Sequence, residues 1–257
     1  MTYTFFLDLD GTLIHKERPN PTDTFLHVMS EAQKMGHLFF INTGRPHSNI
    51  PKARFRTELF DGICSGCGTR ITYREECIYE RTLPPEQVFS VAEAVNSARP
   101  EIEFMLEGSE RVYTASIPWR DYLVKYDSVK ELKAASPEIK IQKFASRPGF
   151  HIPEEITKPF EADFDVYRHP TFTELVPKGY DKAKAVALVE EKLGIPHEST
   201  VAVGDSANDL PMMEYCAVSI AMGNSSDEIK SLCTETADTA ENDGAAKAIA
   251  KLCGIEY

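Results

Sequence analysis

Two aspartates spaced two apart, in Asp8-Leu9-Asp10-Gly11-Thr12, follow an apolar run at Thr4–Leu7. If that run is a β-strand, strand alternation sets Asp8 and Asp10 on the same side as the chain leaves it. Carboxylates so placed can divide the labour of a group transfer. One attacks an electrophile while the other, when protonated, donates to the leaving oxygen; close like charges raise one pKa, and a bound cation modulates both. Gly11 permits a tight turn whose N–H groups can cradle an anion. A solvated acidic turn has the same composition, since Asp and Gly are common turn formers, so the pentapeptide alone does not choose between the two.

Two further polar segments supply what a phosphoryl-transfer site needs. Thr43-Gly44-Arg45 offers a hydroxyl, a flexible backbone N–H and a cation after the apolar run Leu38–Asn42. Gly204-Asp205-Ser206-Ala207-Asn208-Asp209 offers a second carboxylate pair and an amide after Thr200–Val203. In an open α/β sheet, ligands bind outside the carboxyl ends of the strands, so three such loops converge on one rim. Asp8, Asp10 and Asp205 are hard oxygen donors of the kind that suits Mg²⁺. The bland readings are a simple turn for Thr-Gly-Arg and a helix cap for Asn-Asp.

The elements that must position these loops are legible as an alternation of β-rich runs and helical patterns, the mark of a parallel α/β sheet. In the first third, strands are expected at Thr4–Leu7 and Leu38–Asn42. A helix is expected at Asp23–Met35, with Phe25, Val28, Met29 and Ala32 on one face and Gly36 as its stop, and a short helix after Pro46. The rhythm resumes near Pro177. A helix at Lys182–Leu193 is closed by Gly194-Ile195-Pro196, followed by a strand at Thr200–Val203, a helix at Asp209–Tyr215, a strand at Val218–Ala221 and a helix at Ser226–Leu232. Between them the texture turns proline-rich, with a helix-like stretch at Glu86–Ala98 and strand candidates at Glu103–Leu106 and Arg111–Ser116. The expected organisation is a core of residues 1–83 and 177–257 and an inserted α+β module at 84–176.

Composition bounds the function. Over 257 residues, 28 Lys+Arg against 40 Asp+Glu give a net charge of -12, which disfavours a nucleic-acid partner. No apolar run approaches the ~18–20 residues that span a bilayer. The first residues lack the basic and apolar regions of a secretory signal, so the protein is read as cytoplasmic. Six cysteines without an export signal are read as reduced thiols. Cys64 and Cys67 form a lone C-x-x-C with neither a second pair nor a histidine at zinc-site spacing, and are read as small residues at a strand end. No repeat or low-complexity tract suggests a solenoid or a linker-rich scaffold.

In this order, Asp8-x-Asp10-Gly11-Thr12, Thr43-Gly44-Arg45, Lys178-Gly179-Tyr180-Asp181-Lys182 and Gly204-Asp205-x-x-Asn208-Asp209 resemble the four motifs of the haloacid dehalogenase (HAD) superfamily. The tail, Ala221-Met222-Gly223-Asn224 with Asn242-Asp243-Gly244, resembles its Cof-type phosphatases. The resemblance covers both core halves; the insert matches the family's cap in position only. It implies a Rossmannoid parallel-sheet core with an α+β cap, and a Mg²⁺-dependent phosphatase of small phosphorylated metabolites, sugar phosphates first. Asp8 would be the nucleophile, forming an aspartyl-phosphate, and Asp10 the general acid and base. Asp8, the Asp10 carbonyl and Asp205 would hold Mg²⁺. The Leu9 backbone N–H, Thr43, the Gly44 backbone, Lys182 and Asn208 would bind the phosphoryl oxygens, with Asp209 behind them.

The chain departs from the family pattern where Ala183 follows Lys182 and where Cys64-Ser65-Gly66-Cys67 stands at the end of the third strand. Lys182 is preferred over Lys178 as the phosphate-binding cation because it opens a helix. Arg45, and in the insert Tyr113, Trp119, Arg120, Arg147 and His151, are candidates for reading the leaving group. The alternatives are a phosphomutase resembling the phosphomannomutases, which needs a bisphosphate activator, and a non-catalytic metabolite-binding protein. The oligomeric state is not legible.

Overall fold

A computed structural model describes residues 1–115, 123–135 and 140–256. The chain divides into two compact units. The first comprises residues 1–44, 51–79 and 181–257, and the second residues 45–50 and 80–180.

The strands, in chain order, begin with β1 (Thr4–Leu7), β2 (Leu38–Asn42), β3 (Gly62–Ser65), β4 (Arg70–Tyr73) and β5 (Glu76–Glu80). They continue with β6 (Phe104–Gly108), β7 (Val112–Thr114), β8 (Leu123–Lys125), β9 (Ile141–Ser146), β10 (Phe164–Arg168) and β11 (Thr173–Pro177), and end with β12 (Thr200–Gly204), β13 (Val218–Ala221) and β14 (Glu235–Thr236). The helices are α1 (Asp23–Lys34), α2 (Lys52–Phe55), α3 (Pro85–Ala98), α4 (Val129–Ala135), α5 (Glu154–Thr157), α6 (Lys182–Leu193), α7 (Leu210–Tyr215), α8 (Asp227–Leu232) and α9 (Gly244–Cys253).

The first unit is built on a sheet of order β14-β13-β12-β1-β2-β3-β4-β5, parallel from β14 to β3, with β4 antiparallel to β3. The fold class is therefore α/β, as expected. Strands covered on both faces read as continuous apolar runs, and β1 is buried throughout. Phe5 stacks on Phe39 at 4.7 Å and Phe6 on Phe40 at 5.5 Å, one pair on each face of the β1–β2 ladder. On one face Phe6, Phe40 and Ala202 join Ala185, Val186 and Val189 of α6 and Met212 and Met213 of α7 in one apolar cluster. Helix α1 starts at the Thr22 N-cap, whose hydroxyl accepts from the Phe25 amide, and buries Phe25, Val28, Met29 and Ala32. It ends one residue before the expected Met35, and Gly36 follows at φ +93°.

The segment after Pro46 is a 3₁₀ turn, His47–Asn49, followed by α2. The single helix expected over Asp209–Tyr215 is a 3₁₀ turn, Ala207–Asp209, running into α7 with Pro211 in its first turn. Proline tolerates that place because the N–H it lacks would be unpaired there anyway.

The second unit is a six-stranded sheet of order β10-β11-β9-β6-β7-β8, antiparallel except where β7 pairs with β8. Val88, Phe89, Val91, Ala92 and Val95 of α3 pack on Phe104, Leu106, Ile141, Phe144 and Leu175 of the sheet. Among the described residues, no helix is long and apolar enough to cross a membrane.

Candidate active site

Strand order β12-β1-β2 sets three parallel strands side by side, with Leu7 in register with both Val203 and Ile41. The residues that follow them, Asp8, Thr43 and Asp205, therefore leave the sheet at one rim. The chain departs from β1 toward β2 on one side and returns as β12 on the other, a topological switch point where ligand sites form. Asp8 is tied to the sheet through its amide, which donates to the Val203 carbonyl at 2.9 Å. Beyond it the Leu9 carbonyl accepts from the amides of Leu13 and Ile14 at 3.1 and 2.9 Å, winding the Asp10–Thr12 loop back on itself.

That loop tolerates nothing larger than glycine at position 11. Gly11 has φ +90°, and a Cβ there would lie 2.2 Å from Asp205 Oδ2. Gly204 is equally constrained, since a Cβ would lie 2.6 Å from the Asp209 carboxyl carbon. The two glycines let the carboxylates of the Asp205 loop close on the Asp8 loop.

Lys182 is the first residue of α6, whose N-cap Asp181 accepts from the Lys184 amide at 2.7 Å. A cation at a helix N-terminus opposes the helix dipole, and here carboxylates hold it. Its Nζ donates to Asp8 Oδ1 at 2.5 Å and to Asp209 Oδ1, with Lys182 and Asp209 buried and Asp8 4% exposed. Asp209 Oδ2 accepts from the amides of Asp205 and Ser206 at 2.9 and 3.0 Å, so both of its oxygens are engaged. Asp205 accepts a 3.3 Å bond from Asn224 on Oδ2, while its buried Oδ1 has no hydrogen-bond partner among the described residues.

The electrostatics ask for a cation. Asp8, Asp10, Asp205 and Asp209 oppose one ammonium. Burial, then the Asp209 charge, push Asp8 up to about 8 against the pull of Lys182. The same two causes push Asp205 up to about 7. Burial disfavours the ammonium of Lys182, but Asp209 and Asp8 outweigh it and raise its pKa. Oxygens of Asp8, Asp205 and Asp209 lie within 4.8 Å of one another. With Asp209 saturated and Asp205 Oδ1 unpartnered, the donor set fits a hard divalent cation between Asp8 and Asp205.

The other expected site residues fall as follows. Thr43 is buried, its amide donating to the Cys64 carbonyl at 2.9 Å and its carbonyl accepting from Cys67 at 3.2 Å, while Gly44 and Arg45 are half-buried. Asp10 is exposed, and its carboxylate lies outside the three-carboxylate group. Leu9 is buried, and Asn208 is exposed with its Oδ1 accepting from Ser206 at 2.7 Å. Lys178 lies in the second unit, paired with Asp165 at 2.7 Å. Cys64 is buried in the core, and burial raises its thiol pKa. Of the leaving-group candidates, Tyr113 packs against the apolar cluster of the second unit, Arg147 pairs with Glu103 at 2.5 Å, and His151 is exposed. Trp119 and Arg120 lie outside the described residues.

Two asparagines were given no role by sequence reasoning. Asn224 donates to the Gly11 carbonyl at 2.9 Å as well as to Asp205, and accepts from the Ala240 amide at 3.0 Å, stitching the two acidic loops together. Asn42, buried at the end of β2, donates to the Lys182 carbonyl at 3.0 Å and so anchors the start of α6. The signal for Asn42 was a polar residue closing an otherwise apolar strand.

A family model for haloacid dehalogenase-like hydrolases matches residues 5–249. In Bacillus subtilis, YkrA, a phosphatase by name, is 27% identical over 254 residues, covering 96% of each chain. YitU of the same organism, a 5-amino-6-(5-phospho-D-ribitylamino)uracil phosphatase, is 25% identical over 265 residues, covering 95% of each chain. The fold is shared with solved structures. BT1666 from Bacteroides thetaiotaomicron, described among phosphatases of the haloalkanoate superfamily, aligns with a TM-score of 0.83 at 22% identity over 100% of this chain and 96% of its own. The sugar phosphatase BT4131 aligns with a TM-score of 0.80 at 24% identity over 99% and 100%.

Proposed function

This chain belongs to the haloacid dehalogenase-like hydrolases, a membership that with its phosphatase relatives makes it a phosphatase, and we propose that it is Mg²⁺-dependent, acts on small phosphorylated metabolites, sugar phosphates first, and works through an aspartyl-phosphate on Asp8. The observation that carries the reading is the meeting of Asp8, Asp205, Asp209 and Lys182 at the ends of adjacent strands. The substrate class draws on the names of relatives and neighbours, YitU and BT4131 among them.

Lys182 fixes one carboxylate oxygen of Asp8, leaving the other to attack phosphorus. The bond from phosphorus to the alcohol oxygen breaks, and that oxygen takes the proton of Asp10. Water then adds to phosphorus and gives its proton to Asp10; the Asp8–phosphorus bond breaks, releasing inorganic phosphate and restoring the carboxylate. Thr43, the backbone of Gly44 and Leu9, Lys182 and Asn208 bind the phosphoryl oxygens, since this chemistry depends on positioning and on neutralising equatorial charge. Asp8, Asp205 and the Asp10 carbonyl are the groups that would hold Mg²⁺, which supplies charge neutralisation at the phosphoryl group. Asp209 holds Lys182 and the Asp205 loop in place. The second unit acts as the cap that reads the alcohol. The enzyme acts in the cytoplasm.

The test is phosphate release from a panel of phosphorylated sugars, nucleotides and cofactors, with Mg²⁺ or chelator, beside Asp8→Asn. The amide is isosteric but not nucleophilic, so release should fall by about 10³-fold or more while the fold persists. Release that survives in the variant or under chelation refutes the mechanism. Isomer formation on adding a bisphosphate, with little free phosphate, makes the enzyme a mutase; no turnover of any ester makes it a binding protein.

A further inference from the structure

Past Asp10 the chain doubles back on itself. Asp10 bridges Ile14, and His15 and Arg18 exchange amide-to-carbonyl bonds at 3.0 and 3.1 Å. Between this hairpin and the first turns of α1 and α9 lies a cavity lined by Thr12, Arg18, Thr22, Asp243, Ala245 and Ala246. All six belong to the first unit. None of Asp8, Asp205, Asp209 and Lys182 lines the cavity.

Its wall is rich in donors that have nothing to donate to. Thr12 is 2% exposed, and its hydroxyl has no hydrogen-bond partner among the described residues. Arg18 gives Nη1 to Asp243 Oδ1 and Nη2 to the Ala240 carbonyl, both at 2.5 Å, while its buried Nε has no partner among the described residues. The third contributor is the start of α9. Asp243 stands at its N-cap with φ +57° and makes no side-chain cap bond, its carboxylate being turned to Arg18 instead. The first amides of a helix lack intrahelical partners and carry the positive end of its dipole. Ala245 and Ala246 therefore bring an uncapped positive end to the cavity wall.

Unpaired buried polar atoms are costly, and two beside a bare helix start mark a place completed by something else. The acceptors nearby are engaged: Asp243 Oδ1 takes the guanidinium, and the Thr22 hydroxyl takes the Phe25 amide at 3.0 Å. The closed part of the cavity takes about one water-sized particle, too little for a phosphate ester. A water would bring two protons of its own to a wall of donors. A monatomic anion brings only lone pairs, and helix N-termini favour negative charge.

We propose that Thr12, Arg18 and the N-terminus of α9 bind a monatomic anion of the size of chloride, which braces the Asp8–Thr12 loop against α9. This site goes beyond the phosphatase reading and does not depend on it.

The test is thermal unfolding in chelator at fixed ionic strength, as gluconate, too large to enter, is exchanged for chloride. The wild type should show a saturable gain of roughly 3–6 °C at ten times the half-saturating concentration. Thr12→Val, nearly isosteric, should need about 10- to 100-fold more chloride for the same gain. In gluconate it should melt no lower than the wild type, because the hydroxyl it removes is unpaired there. Wild-type crystals soaked in bromide should show an anomalous peak between Thr12, Arg18 and Ala246. Melting that ignores chloride, with no bromide peak, leaves a water in the cavity and overturns the proposal. A gain that Thr12→Val shares unchanged places the anion elsewhere, and a lower melt of that variant in gluconate gives the hydroxyl a partner in the protein; either overturns it. If the variant does not fold, the bromide peak in the wild type decides. Phosphate displacing bromide from that peak would make this an oxyanion site and overturn the halide assignment.

Discussion

Replacing Lys182 with methionine keeps the volume of the side chain and removes the cation held between Asp8 and Asp209. All three groups lie within 4% exposure, so water cannot compensate the loss. Breaking a buried ion pair from one side costs about 3–5 kcal/mol. The lower end applies here because Asp8, already pushed up to about 8, can take a proton and halve the stranded charge. For a chain of this size each kcal/mol lowers the melting temperature by about 2–4 °C, so Lys182→Met should melt roughly 6–12 °C below the wild type. The assay is thermal unfolding at pH 7 in chelator, where only the protein's own charges count. The double variant Lys182→Met/Asp209→Asn should recover about half of the loss. Asparagine keeps an oxygen for the Asp205 and Ser206 amides while removing one stranded charge. A single variant melting within 2 °C of the wild type, or a double variant no more stable than the single, would refute the idea that the lysine holds two buried carboxylates together.

Gly11→Ala would drive a Cβ into Asp205 and adopt an unfavourable φ of +90°. It should cut kcat/KM by about 10²-fold and raise the Mg²⁺ concentration needed for half activity. The control is Gly194→Ala, with φ +66° but open space around the new methyl; it should cost about 1–2 kcal/mol of stability and leave turnover unchanged. In the second unit, burial raises the Glu174 carboxyl, but Lys143 and His169 overcome it and hold it down at about 2. A depressed carboxylate stabilises the fold above its unfolded pKa, near 4.5, and that contribution drains away as the pH falls toward 2. Melting curves of Glu174→Gln and wild type should therefore differ most above pH 5 and converge near pH 2; a constant gap would refute the pairing.

The core elements were readable because pattern and punctuation agreed. Thr4–Leu7, Leu38–Asn42, Lys182–Leu193 and Val218–Ala221 fall where the apolar runs and stops set them. Helix α8 begins at Asp227 because Ser226, counted in the sequence as helical, spends its hydroxyl on the Ile229 amide as the cap. The insert was less legible. β9 is buried at all six positions yet reads Ile-Gln-Lys-Phe-Ala-Ser, because Lys143 pairs with Glu107 and Glu174 on two neighbouring strands and Ser146 donates to the Phe150 and Thr173 carbonyls. β11 ends in Pro177, which reads as a turn, and the β4–β5 hairpin turns through Arg74 and Glu75, both at positive φ with no glycine to announce it. At the site, the acidic loops and the lysine were visible as residue types. That Lys182 would be pinned between Asp8 and Asp209, or that Asn224 would tie Gly11 to Asp205, depends on groups brought together from 19 to 213 positions apart.

The place of β1 between β2 and β12 has a consequence for the birth of the molecule on the ribosome. β12 emerges about 160 residues after β2, which at ordinary elongation rates is roughly 8–30 s. Throughout that interval the strand carrying the nascent Asp8 offers an unsatisfied edge of amides and carbonyls beside an aromatic ladder, a surface that invites another chain. The second unit, residues 45–50 and 80–180, lies wholly within that intervening stretch and is meanwhile free to fold from its own sequence. The same order of strands that gathers the acidic loops at one rim thus leaves the enzyme most exposed to aggregation before its last quarter is made.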